Sequence, residues 1–134
     1  MKKELRAVLS ARLFTDRKCF GPGVAELLRR VDEHRSLRAA AQSMEMAYSK
    51  AWTIMKNAEE GLGVRLLASS TGGRGGGGAV LTDEARQFLE AYERYCKKLR
   101  AYGDRLLAEE FSFYRDGALS FRKSTESNGK AGRK

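Results

Sequence analysis

The stretch SLRAAAQSMEMAYSKAWTIMKNAEEGL, residues 36–62, carries the strongest structural signal in this sequence. Ser36 suits the N-cap of a helix, because its hydroxyl can accept a hydrogen bond from a free backbone N–H. The short helix that follows, residues 37–44, has three consecutive alanines, and such small side chains let a second helix cross closely. After a turn near 45–46, a further helix over 47–62 has one apolar face: Ala51, Met55, Ala58 and Leu62. The pattern predicts a helix-turn-helix.

The residues before this stretch predict another helix and an N-terminal hairpin. Gly-Pro-Gly at residues 21–23 opens a helix that ends near His34. Its apolar stripe has helical spacing: Val24, Leu27, Leu28 and Val31. The apolar run 5–14 suits either a strand or a helix, and the polar corner 15–18 favours an antiparallel return. We therefore expect a β-hairpin over residues 5–20.

A glycine-rich loop, TGGRGGGG at residues 71–78, follows the helix-turn-helix. It carries almost no side chain apart from the cation of Arg74, and it lies between two short apolar runs, 64–68 and 79–82. Two β-prone runs joined by a glycine loop predict a β-hairpin, here the wing of a winged helix over residues 64–82. A disordered linker is the alternative, and the strand-like flanks disfavour it.

The same loop contains the pattern G-x-G-x-x-G at Gly73, Gly75 and Gly78. In a dinucleotide-binding fold that pattern follows a strand and opens a helix whose N-terminus holds a pyrophosphate. Here it leads instead into the short β-prone segment 79–82, and the sequence has no G-x-x-x-x-G-K-S/T pattern. The context excludes a nucleotide site, and we expect no cofactor.

A long helix is predicted over residues 83–110. Thr82 is a suitable N-cap for it, and Glu84 suits the positive end of its dipole. Apolar and aromatic residues recur along this helix at alternating spacings of three and four: Ala85, Phe88, Tyr92, Tyr95, Leu99, Tyr102 and Leu106. Such a seam needs another surface against which to pack. We predict that the residues from Phe88 onwards join a homodimer; packing within the same domain is the alternative.

The chain is thus expected to be mainly α with a small β component, a winged helix-turn-helix followed by a long C-terminal dimerisation helix. At 134 residues it has the length of one domain, and 42% hydrophobic residues suffice for a single core. We expect the winged helix-turn-helix domain in residues 1–82 and the long helix in residues 83–110. Residues 121–134 are expected to form a basic, disordered tail.

The charge of the chain favours a polyanionic partner. Lysines and arginines exceed acidic residues by 9, and the pI is about 9.8. Bound cations release the counterions condensed on nucleic acid, so such an excess favours its binding. No apolar run is long enough to span a membrane, and the N-terminus makes a poor signal peptide. Cys19 and Cys96 lack metal-ligand spacing, and we expect reduced thiols in a cytoplasmic protein.

In a helix-turn-helix, the second helix of the motif presents its N-terminal residues to the major groove of double-stranded DNA. The predicted DNA-contacting residues therefore come from the first turns of that helix, from the start of the preceding helix and from the loop: Ser36, Arg38, Tyr48, Ser49, Lys50, Thr53, Lys56 and Arg74. They mix groups that reach base edges with cations that reach phosphates. Tyr48 and Lys56 have plainer alternatives, as a buried aromatic and a solvated charge. We expect Trp52 to be buried, because large aromatics mostly supply packing area.

Arrangements typical of enzymes are missing from the sequence. The single histidine, His34, ends an amphipathic helix, where we expect a surface position. Neither cysteine has a histidine at a plausible spacing, and acidic residues are scattered among basic ones on the helices. We therefore predict neither a catalytic residue nor a metal site.

Residues 24–63, VAELLRRVDEHRSLRAAAQSMEMAYSKAWTIMKNAEEGLG, followed by TGGRGGGGAVLT at 71–82, resemble the N-terminal winged-helix domain of the ModE-type molybdate-dependent transcriptional regulators. They are also similar, more distantly, to the LysR-type DNA-binding domain. The resemblance covers about residues 20–100, and its specific pieces are AYSKAW at 47–52 and the glycine loop. It implies a dimeric regulator with Lys50 in the major groove and the wing on the flanking backbone.

Full-length members of that family carry C-terminal modules that bind molybdate or tungstate, and this sequence ends before such a module. We therefore expect that oxyanion sensing does not carry over, and that activity is set by concentration or by a partner chain. The leading hypothesis is a dimeric, sequence-specific regulator with a link to molybdate-related genes. The alternatives are a winged helix that assembles with another protein, and an oxyanion-binding protein.

Overall fold

The computed structural model describes residues 3–70 and 78–115. Its helices and strands follow one another as β1 (Leu13–Phe14), β2 (Lys18–Phe20), α1 (Pro22–His34), α2 (Leu37–Ser43), α3 (Tyr48–Leu62), β3 (Leu67–Ser70), β4 (Gly78–Leu81), α4 (Asp83–Glu110) and α5 (Ser112–Arg115). Among the described residues, 10–70 and 78–97 make up one compact unit, and 3–9 and 98–115 make up a second. The predicted winged helix-turn-helix with a long C-terminal helix is confirmed.

Helices α1, α2 and α3 enclose the core of the first unit. Helix α1 contributes Leu27, Leu28 and Val31, which are fully buried, and α2 contributes Ala40 and Ala41. The buried residues of α3 belong to its predicted apolar face: Ala51, Met55 and Ala58. Because the buried faces of α2 and α3 carry several alanines, the two helices can pack closely.

Polar side chains cap two helices as the sequence predicts. The Ser36 hydroxyl accepts a hydrogen bond from the backbone N–H of Ala39 at 3.0 Å. The Thr82 hydroxyl accepts one from the N–H of Ala85 at 3.0 Å. Between α2 and α3 the chain turns through Glu45, whose φ of 55° lies in the left-handed region. These residues fix where the helices begin and how α3 leaves the turn.

The wing consists of strands β3 and β4. They pair antiparallel, with Leu67 opposite Leu81 and Ser70 opposite Gly78. The first strand begins three residues later than the predicted apolar run 64–68. Residues 71–77, which include Arg74, lie outside the described residues.

The N-terminal hairpin is shorter than the predicted 5–20. Only β1 and β2 pair, with an irregular register inside β1, and residues 3–12 form no strand. The hairpin is ordered where Cys19 and Phe20 are buried in the core. The apolar side chains before the hairpin, such as Val8, are exposed. They do not pack on a core that would stabilise a longer strand.

The first half of α4 completes the core of the first unit. Ala85, Leu89 and Tyr92 are buried. The Tyr92 ring lies 5.1 Å from that of Phe20, and its hydroxyl donates to the carbonyl of Ala11 at 2.8 Å. Burial raises the pKa of Tyr92 to about 12. For this part of the seam, the structure shows packing within the domain.

The second unit consists, among the described residues, of an N-terminal segment, the end of α4 and α5. A groove of about 520 Å³ runs along it, lined by Leu5, Leu107 and Phe111 among others. Phe111 and Phe113 lie with their ring centroids 6.0 Å apart. Tyr102 of α4 remains exposed, with Arg105 over its ring.

Candidate nucleic-acid interface

Helix α3 buries one face and exposes the side chains predicted to contact DNA. Its first turn exposes Tyr48, Ser49 and Lys50, and the following residues expose Thr53 and Lys56. The small residues of the buried face hold the helix against α1 and α2. The structure therefore brings five of the predicted residues together on the exposed side of one helix.

Arg38 of α2 contacts the first turn of α3. Its guanidinium carbon lies 4.2 Å from the centroid of the Tyr48 ring. A cation–π contact at an exposed site contributes about 0.5–1 kcal/mol and restricts both side chains. Within the described chain no carboxylate lies within salt-bridge distance of Arg38, so its N–H groups remain available to a phosphate.

The expectation that Trp52 is buried is wrong. Its side chain is 49% exposed, and the Lys56 ammonium lies 5.5 Å from the centroid of its ring. The reason is the phase of the helix: Ala51 and Met55 define the buried face, and Trp52 lies outside it. The structure therefore places an exposed aromatic ring next to the residues that the sequence predicts to contact DNA.

Two of the predicted hydroxyl groups already have local partners. The Ser36 hydroxyl oxygen accepts the hydrogen bond that caps α2, and its O–H can still donate to a phosphate. The Thr53 hydroxyl donates to the carbonyl of Ser49 at 3.0 Å, one turn earlier. Its oxygen can still accept a hydrogen bond, so Thr53 is expected to act as an acceptor at this surface.

The cations of the first unit divide into paired and unpaired groups. Arg86 binds Asp32 through two nitrogens, at 2.9 and 3.3 Å, and these hydrogen bonds hold the pKa of Asp32 below its ordinary value. Arg30 and Arg29 bind the Glu26 carboxylate, whose pKa is lowered in the same way, first by Arg30. These ion pairs join or brace helices α1 and α4.

Lys50 and Arg38 have no such partner within the described ranges, and both are exposed. Lys56 has only a long contact, 4.0 Å, with the Glu59 carboxylate. The α2–α3 surface therefore carries cations that no carboxylate of the described chain neutralises at close range. A polyanion can bind Arg38 and Lys50 without breaking an existing ion pair.

Glu59 anchors the wing to α3, a role that the sequence analysis missed. One of its carboxylate oxygens accepts hydrogen bonds from the backbone N–H groups of Leu66 and Leu67, at 2.8 and 3.2 Å. A second anchor joins the N–H of Ala79 to the carbonyl of Arg35 at 3.1 Å, so both strands are tied to the helices. An acidic residue near the end of an amphipathic helix gives no sign of this role, because its partners belong to the backbone of a later segment.

Other kinds of site find no support in the described part of the chain. It holds no group of three His, Cys, Asp or Glu side chains that could bind a metal. Cys19 is buried and Cys96 half-buried, and neither forms a disulfide. His34 lies at the surface, 4.0 Å from the carboxylate of Glu33. No helix within residues 3–70 and 78–115 has the length and apolar character needed to cross a membrane.

Comparison with known proteins points to one class of domain. Residues 24–86 match the family described as bacterial regulatory helix-turn-helix protein, lysR family. The transcriptional regulator ModE of Haemophilus influenzae is 31% identical over 85 residues, which cover 63% of this chain and 31% of that protein. The match therefore spans about a third of the length of that relative.

A solved structure supports the same assignment. The DNA-binding domain of CbnR, determined in complex with DNA, superposes with a TM-score of 0.51 at 27% identity, covering 66% of this chain and 95% of that one. Both the relatives and the fold are those of DNA-binding regulator domains and not of enzymes. Residues 24–86 are therefore similar to a LysR-type winged helix-turn-helix domain, and 85 residues of the chain are similar to part of ModE.

Proposed function

We propose that this protein is a transcriptional regulator that binds a specific sequence of double-stranded DNA as a dimer. The observation that carries the proposal is that Lys50, in the first turn of α3, and Arg38 of α2, which contacts Tyr48 in that turn, are exposed and have no carboxylate partner among the described residues. They lie beside side chains that can contact base edges. In this motif the start of the second helix lies in the major groove, where polar side chains contact base edges and cations contact phosphates. A cytoplasmic location belongs to the same proposal, because a regulator must reach DNA.

The dimer in this proposal uses the second half of the α4 seam. Phe88 and Tyr92 already pack against Phe20 within one chain, so they have little surface left for a partner. The stripe continues with Tyr95, Leu99, Tyr102 and Leu106. Leu99 is half-buried, and the other three are exposed. An apolar stripe of this kind on a long helix supports association with a second copy.

The proposed link with molybdate-related genes rests on the resemblance of residues 24–82 to ModE-type regulators. It concerns the genes that are regulated and assigns no oxyanion site to this chain. Sequencing of DNA bound to the protein in cells tests it: enrichment near genes of molybdate uptake or molybdenum-cofactor synthesis supports the link, and enrichment elsewhere removes it.

Selection of bound duplexes from a random DNA pool tests the main proposal. The purified protein is used at roughly physiological salt, because phosphate contacts alone then bind weakly. We expect an inverted repeat whose half-sites lie about 34 Å apart, one helical turn. If the folded protein enriches no sequence but binds another protein stably, it is an interaction module and the proposal fails.

Two lysine variants provide the matched comparison. Lys50→Ala should weaken binding to the selected site and relax its sequence preference, because the side chain lies at the start of α3. Lys18→Ala, which removes an exposed lysine from β2, should leave the preference unchanged. Equal behaviour of the two variants would contradict the docking of α3 in the groove.

A further inference from the structure

We propose that Trp52 is a specificity-determining residue that reads a thymine in the major groove. The inference rests on the proposed function, since it assumes that α3 meets DNA. It starts from two exposed aromatic side chains one turn apart on α3: Tyr48 is 38% exposed and Trp52 is 49% exposed. A single exposed aromatic residue is ordinary, but neighbouring ones form an exposed apolar patch, and such a patch can mark a binding surface.

The neighbours of Trp52 favour nucleic acid over a protein as its partner. Tyr48 precedes it by one turn and Lys56 follows by one turn, with Thr53 beside it. Lys56 and Arg38 each place a cation over one of the two aromatic rings. An aromatic ring set among weakly paired cations is suited to a partner that combines negative charge with apolar edges, as DNA does.

The Lys56 contact also restricts how the indole can meet that partner. The ammonium lies over the ring, so a second group approaches most freely along the ring edge or from the other face. The indole N–H belongs to this edge, and it has no hydrogen-bond partner among residues 3–70 and 78–115. The exposed edge therefore offers one donor next to an apolar surface.

Thymine is the base whose major-groove edge matches this pair of groups. It presents the O4 acceptor beside the C5 methyl, whereas guanine presents only acceptors there and cytosine presents a donor. The indole N–H can donate to O4 while the ring edge contacts the methyl group. Trp52 would thus contact the methyl group of thymine, which polar neighbours such as Ser49 cannot recognise.

Substitution of Trp52 is suited to a test because the side chain lies outside the core cluster. The random-pool selection is repeated with Trp52→Ala and with Phe14→Ala, which removes an aromatic side chain 65% exposed on the N-terminal hairpin. We expect one thymine in each wild-type half-site that Trp52→Ala no longer selects, while Phe14→Ala selects the wild-type site. Affinity of Trp52→Ala for that site should fall about ten-fold or more, as when a base contact is lost.

A change in the DNA provides a test that does not depend on the folding of a variant. Uracil at that thymine keeps O4 and removes only the methyl group. The wild-type protein should lose about four-fold in affinity, the value expected for one methyl contact. Trp52→Ala should bind the thymine and uracil duplexes equally, because the methyl group then has no partner.

The outcomes separate the two proposals. If the wild-type protein selects a site but tolerates uracil at every thymine, or if Trp52→Ala keeps the wild-type preference, Trp52 reads no thymine and the regulator proposal stands. In that case the exposed ring is available to a protein partner instead. If the wild-type protein selects no sequence at all, both proposals fail together.

Discussion

Glu59→Ala is the substitution whose consequence can be worked out most directly from the structure. The Glu59 side chain is only 13% exposed, and one of its oxygens accepts both N–H groups at the start of the wing. A buried donor without a partner costs about 1–3 kcal/mol. Two donors, with some access to water, give an expected loss of about 2–4 kcal/mol in the free energy of unfolding. For a domain of this size that is a large fraction of its stability.

The two neighbouring variants separate this effect from a simple change of charge. Glu59→Gln keeps an oxygen that can accept both hydrogen bonds, so it should cost only about 1 kcal/mol, for the lost charge assistance. Glu60→Ala removes the adjacent glutamate, which is 58% exposed and paired with Arg17 at 3.1 Å. An exposed ion pair contributes at most about 1 kcal/mol, so this variant should remain close to the wild type.

The assay is urea unfolding at pH 7 followed by far-ultraviolet circular dichroism, with hydrogen exchange as a local readout. In Glu59→Ala the amides of Leu66 and Leu67 should exchange faster relative to those of α1, because the start of the wing opens locally. Equal stability of Glu59→Ala and Glu60→Ala, with unchanged exchange at these two amides, would show that the wing is held by other contacts.

Three further predictions concern other parts of the molecule. Gly61→Ala should lower the free energy of unfolding by about 1–2 kcal/mol, because the new Cβ would lie 2.6 Å from the Cβ of Cys19. In Gly23→Ala the new Cβ meets nothing within 4 Å, so this variant should not lose stability, and urea unfolding compares the two. The pKa of Asp32 is lowered in the folded protein, so its ion pair with Arg86 stabilises the fold above about pH 4. This stabilisation is lost as the pH falls through the folded pKa of Asp32. Asp32→Asn should therefore lose less stability than the wild type between pH 7 and pH 3, and the difference should be below about 1 kcal/mol because the pair is exposed. Tyr102→Glu should shift sedimentation toward the monomer and leave the far-ultraviolet circular dichroism of the folded protein unchanged, since Tyr102 is 54% exposed within one chain. A dimer that survives this substitution would place the interface elsewhere.

The helix-turn-helix could be predicted because its signals are local. The Ser36 cap, the alanines of α2 and the apolar spacing of α3 lie within 27 residues, and each one constrains the next. The position of Trp52 was also contained in that spacing. It was predicted wrongly because the general tendency of tryptophan to be buried was given more weight than the helical phase set by Ala51 and Met55.

The features that could not be predicted depend on contacts between distant segments. The seam of α4 is continuous in sequence, but its first part packs against Phe20, which comes from a hairpin more than 60 residues earlier. Periodicity identifies an apolar stripe without indicating which surface covers it. The same holds for Glu59, whose partners are backbone groups positioned by the direction in which the wing leaves α3.

The distribution of partners also changes what the net charge of +9 means. Several arginines of the first unit are bound to carboxylates that join or brace its helices and hairpin: Arg17, Arg29, Arg30 and Arg86. The nearby carboxylates largely balance the charges of these arginines, and the ion pairs contribute to the stability of the fold. Lys50 and Arg38 lack a carboxylate within the described residues, so their fields extend into solvent at the start of α3. Composition indicated an affinity for a polyanion, and the ion pairs show which cations are already neutralised within the first unit; Arg38 and Lys50 are not among them.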